Sequence, residues 1–192
     1  MTAARPAVFL DRDGTIIEER GYLSRLDGID LFPFTVDAVR LLNRAGLAVV
    51  VLTNQSGVAR GYFDEAFVQE THRVLGGRVA EGGGRIDAFY YCPHYPDGKV
   101  ERYRQACECR KPKPGMLLRA AADLSLDLSQ SFSVGDRWSD VEAGLAAGAR
   151  GVLVRTGLGA LDADDPRPDL AVSLVAANLM EATSWILRER AR

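Results

Sequence analysis

The stretch "VFLDRDGTI", from Val8 to Ile16, ends an apolar run with two aspartates one residue apart, Asp11 and Asp13. Like charges this close repel each other, and removing either of them from water is costly without a partner. A bound cation, or chemistry that uses both carboxylates, would account for the pair. A DxD at a strand end also occurs as a turn or a helix cap, so this stretch alone leaves both interpretations open.

Outward from this stretch, short apolar runs alternate with segments of helical periodicity. The run "LAVVVL" is apolar on both faces, as is typical of a buried parallel strand. Strands are predicted at 8–10, 47–52, 88–91, 131–134 and 152–154, helices at 35–46, 64–79, 114–124 and 139–148, a surface loop at 159–169, and a last strand and helix through 185. This alternation predicts an α/β fold with a doubly wound parallel sheet.

Local signals indicate where some helices begin. Thr35 is expected to cap the first helix, and Pro114 is expected to start a later one. Ser139 followed by Glu142 fits a capping box. His72, in the middle of a predicted helix, is expected to be an ordinary surface or partly packed side chain.

Length and composition limit the classes of protein to which this chain can belong. The chain has 192 residues, which predicts one domain over 1–192. A compact domain of this kind can act as a monomer, which is the expected state. A net charge of -2 argues against a nucleic-acid partner. Apolar runs are too short for a membrane span, and the N-terminus lacks a signal-peptide pattern, so we expect a cytoplasmic protein without a membrane partner. Three cysteines, an odd number, argue against a disulfide framework.

Polar side chains follow several of the predicted strands, where sites form in open α/β sheets. In chain order these residues, with a lysine from a loop, are Asp11, Asp13, Thr53, Lys111, Asp136 and Asp140. Grouped carboxylates suit Mg²⁺, which often shares its oxygen ligands with a substrate phosphate. A lysine and a threonine hydroxyl suit phosphoryl oxygens. One carboxylate could then attack phosphorus while a second carries protons.

The motifs "DRDGT", "LTNQSG", "RKPKPG" and "VGDRWSD" resemble, in order and context, those of the haloacid dehalogenase superfamily of phosphatases. The resemblance covers most of 7–157. It implies that Asp11 is the phosphorylated nucleophile and Asp13 the acid/base. It also implies that Thr53 and Lys111 stabilise the transferring phosphoryl group. Catalytic Mg²⁺ would be held by Asp11, Asp136 and the backbone carbonyl of Asp13.

The stretch "CPHYPDGKVERYRQACEC" (92–109) contains all three cysteines and one of the two histidines. The pairs Cys92-x-His94 and Cys107-x-Cys109 suit tetrahedral Zn²⁺ with no position left for water. Such an ion would be structural and would hold a long loop that has little apolar content. In the alternative interpretation, Cys92 is a small buried residue and the other two thiols are incidental.

The zinc loop, together with "TNQSGVARG" and "CRKPKPGM", narrows the resemblance to capless members that act on small phosphorylated metabolites. A phosphorylated sugar carrying two phosphates is the expected substrate, and histidinol phosphate is the alternative. Arg110 could grip a second phosphate, or it could instead form a salt bridge with a nearby acid. The candidate substrate-binding residues are Glu19, Arg20, Gly21, Tyr22, Thr53, Asn54, Gln55, Ser56, Arg110, Lys111 and Arg137.

Two further hypotheses fit less well. A zinc-stabilised binding module without activity would not need Asp11, Asp13, Lys111 and Asp136 together. A DNA 3′-phosphatase would share the strand-end motifs. Its substrate, however, calls for a basic stretch with aromatic residues, which the sequence lacks.

Overall fold

The computed structural model describes residues 4–191. Its strands are β1 (Ala7–Leu10), β2 (Ala48–Asn54), β3 (Ala88–Cys92), β4 (Phe132–Gly135), β5 (Arg150–Val154) and β6 (Leu174–Ala176). All pair in parallel in one sheet of order β3-β2-β1-β4-β5-β6. The strand order reverses beside β1, and in sheets of this kind the crevice at the reversal is where ligands bind.

Helices cover both faces of the sheet. They are α1 (Thr35–Arg44), α2 (Ser56–Arg60), α3 (Glu65–Glu81), α4 (Gly115–Leu124), α5 (Trp138–Ala146), α6 (Gly159–Asp164) and α7 (Leu179–Arg190). Side chains of a strand alternate between the two faces, so Val8 and Leu10 pack with α1, α3 and α7, while Phe9 packs with α4 and α5. The predicted doubly wound parallel sheet is confirmed.

Two helix starts differ from the predictions. Thr35 is the first residue of α1 but does not cap it, because its hydroxyl donates to the carbonyl oxygen of Ile16 at 2.8 Å. The capping box predicted from Ser139 is also wrong. Helix α5 begins one residue earlier, and the carboxylate of Asp140 accepts from the backbone N–H of Arg137 at 3.0 Å.

Other segments differ in extent. Strand β2 continues to Asn54, two residues beyond the predicted end, which brings Thr53 into the sheet. The predicted surface loop 159–169 contains the helix α6, and the short helix α2 was not predicted. Both helices are five or six residues long, too short for hydrophobic periodicity to indicate them.

His72 lies on the inner face of α3 and is buried, with a relative exposure of 6%. Its ring stacks on Phe89 of β3 with centroids 4.7 Å apart. His72 is therefore packed. Of the two predicted environments, surface or partly packed, the surface one is wrong. Within residues 4–191, no helix combines the length and apolar character that crossing a bilayer requires.

Candidate active site

The carboxyl ends of β2, β1 and β4 open into a cavity of about 490 Å³. Every residue predicted to act in catalysis lines this cavity, and so does every predicted substrate-binding residue except Arg20. The exposed Arg20 side chain instead pairs with Asp30. The sheet thus brings together residues that lie more than a hundred positions apart in the sequence.

Lys111 connects two strand ends across the cavity. Its buried ammonium donates to Asp11 and to Asp140, each at 2.6 Å, and to the backbone carbonyl of Leu52 at 2.8 Å. Burial alone would lower the pKa of Lys111, but the two carboxylates raise it above its ordinary value. All three ammonium donors have partners, so Lys111 is a fixed positive charge beside Asp11.

Three carboxylates form a compact acidic cluster around this lysine. Asp11, Asp136 and Asp140 each contribute one carboxylate oxygen to a group of three, and these three oxygens lie within 4.8 Å of one another. Burial, reinforced by the neighbouring carboxylates, raises the pKa of Asp11 to about 7 and that of Asp136 to about 8. One lysine does not balance these three acids, of which Asp136 and Asp140 are buried and Asp11 is partly buried. A set of oxygen donors with this excess of negative charge fits a divalent cation such as Mg²⁺.

Asp140 is the member of this cluster that the sequence analysis placed at the strand ends but gave no catalytic or metal-binding role. It lies in the first turn of α5, four residues after Asp136. The sequence did contain an indication of this role, because Asp140 is a second acidic residue shortly after the end of β4. Its role in starting the helix and its place beside Lys111 become visible only once α5 is placed against β4.

The carboxylate of Asp13 is not a member of the acidic cluster and is held by other side chains. It accepts hydrogen bonds from the Arg12 guanidinium at 3.1–3.2 Å and from the Gln55 amide at 3.0 Å. The Thr53 hydroxyl lies 3.4 Å from it and accepts from Gln55 at 2.8 Å. Asp13 therefore presents a side chain that is separate from the candidate cation ligands, as an acid/base group needs to be.

Gly14 allows the chain to turn tightly between these groups. Its φ of +80° is in the left-handed region, and a Cβ there would lie 2.2 Å from Oδ2 of Asp136. The same Oδ2 accepts from the backbone N–H of Leu158 at 2.8 Å, which fixes the carboxylate. The glycine of "DRDGT" thus makes room for an acid from a different strand.

The four residues of the predicted zinc site converge. The Sγ–Sγ distances among Cys92, Cys107 and Cys109 are 3.1–3.5 Å, and Nδ1 of His94 lies 3.3 Å from Sγ of Cys109. Tetrahedral Zn²⁺ with Zn–S bonds of about 2.3 Å requires sulfurs about 3.8 Å apart, close to this arrangement. Hydrogen bonding between Cys92 and Cys109 lowers the pKa of Cys109 to about 5 and raises that of Cys92 above its ordinary value, so Cys109 is the thiolate of this pair.

The two candidate substrate arginines differ in their surroundings. Arg110 follows the last cysteine of the cluster, and its guanidinium donates to the backbone carbonyl of His94 at 3.4 Å. Among residues 4–191 it has no acidic partner within salt-bridge distance, so the salt bridge considered as an alternative is not formed there. Arg137, in contrast, pairs with Asp162 of α6 at 3.1 Å. In the described part of the chain, Arg110 is thus the cavity arginine without an acidic partner, whereas Arg12 pairs with Asp13.

The parallel sheet and the polar groups at its carboxyl edge define a phosphoric monoester hydrolase of the haloacid dehalogenase-like class. A family model described as HAD-hydrolase-like matches residues 108–182. The chain is 46% identical over 158 residues to D-glycero-beta-D-manno-heptose-1,7-bisphosphate 7-phosphatase of Escherichia coli (strain K12), covering 82% of this chain and 83% of that protein. It is 41% identical over 192 residues to the enzyme of that name from Salmonella typhi, covering 100% of this chain and 94% of that protein. The chain belongs to this family of phosphatases.

A solved structure agrees with these relatives. The fold resembles the crystal structure of D,D-heptose 1,7-bisphosphate phosphatase from B. bronchiseptica complexed with magnesium and phosphate, with a TM-score of 0.85. The two are 33% identical, and the match covers 96% of this chain and 99% of that chain. The predicted membership of the superfamily is confirmed, and the relatives favour a sugar bisphosphate over histidinol phosphate as the substrate.

Proposed function

We propose that this chain removes the 7-phosphate of D-glycero-beta-D-manno-heptose 1,7-bisphosphate through an aspartyl-phosphate intermediate. The observation that carries the chemistry is the buried pairing of Asp11 with Lys111 beside Asp136, in a cavity that also contains Asp13 and Thr53. The relatives that share this sequence carry the choice of sugar.

In the first step, an oxygen of Asp11 attacks phosphorus and the bond from phosphorus to the sugar oxygen breaks. Asp13 gives a proton to that leaving oxygen. In the second step, Asp13 takes a proton from water, the water oxygen attacks phosphorus, and the bond to Asp11 breaks to release phosphate. The ammonium of Lys111 and the hydroxyl of Thr53 lie on the cavity wall where they would contact phosphoryl oxygens.

The donor sets support two metals with different tasks. Magnesium, when bound by Asp11, Asp136 and the carbonyl of Asp13, would offset the repulsion between the nucleophile and the phosphate. Asp140, within reach of the same point, either joins that set or orients it from beside Lys111. Zinc in the cluster of three cysteines and His94 would hold the loop that ends at Arg110.

Substrate selection is proposed to rest on short loops. Glu19, Gly21 and Tyr22 line the cavity, and so does Arg110, which directly follows the zinc loop. The Arg110 guanidinium has no acidic partner in the described part of the chain and would be available to the second phosphate. Backbone and side chains of 54–56 face the same space. We further propose that the protein acts in the cytoplasm as a monomer with a single domain over 1–192, which light scattering after size-exclusion chromatography would test for the oligomeric state.

Side-by-side kinetics test the proposed reaction. Purified protein with Mg²⁺ is given the heptose bisphosphate and histidinol phosphate, and phosphorus NMR identifies which phosphate is released. We expect loss of the 7-phosphate only, with a higher kcat/KM for the heptose. Release of the 1-phosphate, or an equal or higher kcat/KM for histidinol phosphate, would contradict the proposal.

A further inference from the structure

Arg60, the last residue of α2, lies between the segment 19–22, most of which lines the cavity, and the zinc loop, which leads to the cavity residue Arg110; it does not itself line the cavity. Its guanidinium carbon is 4.1 Å from the ring centroid of Tyr95 and 5.9 Å from that of Tyr22. Both distances are within the range of cation–π attraction. Arg60 therefore contacts the candidate substrate segment 19–22 and the zinc-held loop at the same time.

The contacts extend on either side of Arg60. The Tyr22 ring meets the Tyr62 ring edge-on, with centroids 4.7 Å apart. On the other side, the guanidinium carbon of Arg110 lies 5.2 Å from the Tyr95 centroid. A continuous series of rings and guanidinium groups thus runs from Tyr62 through Arg60 to Arg110. Its members come from three segments that are distant in the sequence.

The two loops are attached to the rest of the chain in different ways. Tyr22 is 45% exposed, and the zinc loop is attached to α2 through the backbone N–H of Val100, which donates to the carbonyl of Ala59 at 2.9 Å. Arg60 is the next residue along that helix. Its Nε is buried and has no hydrogen-bond partner in the described part of the chain, so the side chain is held by ring contacts and not by an acid.

We propose that Arg60 is a positioning residue for substrate specificity, which holds Tyr22 and Arg110 at the separation that the non-reacting part of the substrate requires. The inference rests on the proposed function, because it concerns the sugar and the second phosphate. Phosphoryl transfer itself uses Asp11 and Lys111, whose contacts in the described part of the chain do not include Arg60, so a change at Arg60 should leave that chemistry nearly unaffected.

The test uses Arg60→Met, which keeps a long apolar chain without the charge, and Arg60→Lys, which keeps the charge without the planar group. The matched control is Arg119→Met, since Arg119 also stacks on an aromatic ring, that of Tyr90 at 5.7 Å, but outside the cavity. Zinc content and circular dichroism establish that each variant is folded.

For Arg60→Met we expect KM for the heptose bisphosphate to rise about tenfold while kcat changes less than about threefold. KM for p-nitrophenyl phosphate, which is too small to reach both loops, should change less than about twofold. Arg60→Lys should restore part of the loss, and Arg119→Met should match the wild type. An equal rise in KM for both esters, or no rise for the bisphosphate in an active enzyme, overturns the proposal.

Hydrogen exchange measured by mass spectrometry gives a result that does not depend on the substrate. Peptides that cover 19–23 should exchange about tenfold faster in Arg60→Met than in the wild type or in Arg119→Met. Unchanged exchange there also overturns the proposal. If the wild type hydrolyses p-nitrophenyl phosphate but not the bisphosphate, the proposed function fails, and the exchange experiment still decides whether Arg60 positions the loop.

Discussion

His72 provides a quantitative prediction about stability at acidic pH. It is buried between α3 and β3, and its Nε2 finds no hydrogen-bond partner among residues 4–191. Burial, with a further contribution from the positive charge of Arg12, lowers the pKa of His72 from 6.5 to about 3. The folded protein therefore keeps this imidazole neutral at pH values where the unfolded chain takes up a proton.

The direction in which stability changes with pH follows from which state, folded or unfolded, binds more protons. Below pH 6.5 the unfolded chain binds a proton at His72 and the folded chain does not, so stability falls as the pH falls, down to about pH 3. From about pH 8 to about pH 5.5 the linkage relation gives a loss of about 1.4 kcal/mol from this one group. The variant His72→Phe keeps a ring to stack on Phe89 and removes the titration.

The assay is urea unfolding of wild type and His72→Phe at both pH values, followed by circular dichroism. The wild type should lose about 1.4 kcal/mol more unfolding free energy than the variant between the two pH values. The carboxylates and the cysteine cluster are the same in both proteins, so their own pH dependence cancels in the difference. Equal losses in the two proteins would refute the reasoning, because His72 would then titrate alike folded and unfolded.

Replacing Asp11 by Asn should lower kcat to less than about a hundredth with circular dichroism unchanged; a higher residual rate would place the nucleophile elsewhere. Asp140→Asn keeps an oxygen to cap α5 but removes a charge from the acidic cluster, so the Mg²⁺ concentration for half-maximal activity should rise about tenfold; an unchanged requirement would remove Asp140 from the cation site. Cys107→Ser should lower both zinc content and activity, and a variant that retains one zinc per chain would argue against the tetrahedral cluster. Chelation by EDTA should stop turnover until Mg²⁺ is added back; activity without divalent ions would contradict the role of Asp136.

Much of the candidate site could be predicted because the relevant residues follow strands directly. The apolar runs that lead into Asp11, Thr53 and Asp136 indicate parallel strands, and the carboxyl ends of such strands meet at one edge. The cysteine pairs could be predicted for a similar reason, because the spacing of metal ligands within each pair is a property of the local sequence. Both predictions depend on short-range pattern together with one rule of topology.

Residues that act through packing could not be predicted in this way. Nothing local links Asp140 with Lys111, and their contact exists only because α5 starts against the end of β4. The same holds for Arg60. Its aromatic neighbours are Tyr22, earlier in the chain, and Tyr95, later in the chain, and each is at least 35 residues away from it. The buried state of His72 likewise depends on β3, which the periodicity of α3 does not reveal.

The parallel α/β architecture, the strand-end acids and the four residues of the candidate zinc cluster could all be predicted from local patterns, because hydrophobic alternation and ligand spacing are properties of neighbouring residues. How the elements pack determines which acids contact Lys111, which side chains hold the Asp13 carboxylate and which cavity arginine has no acidic partner among residues 4–191. Those outcomes depend on distances between segments far apart in the chain, and such distances are set by how helices pack on the sheet.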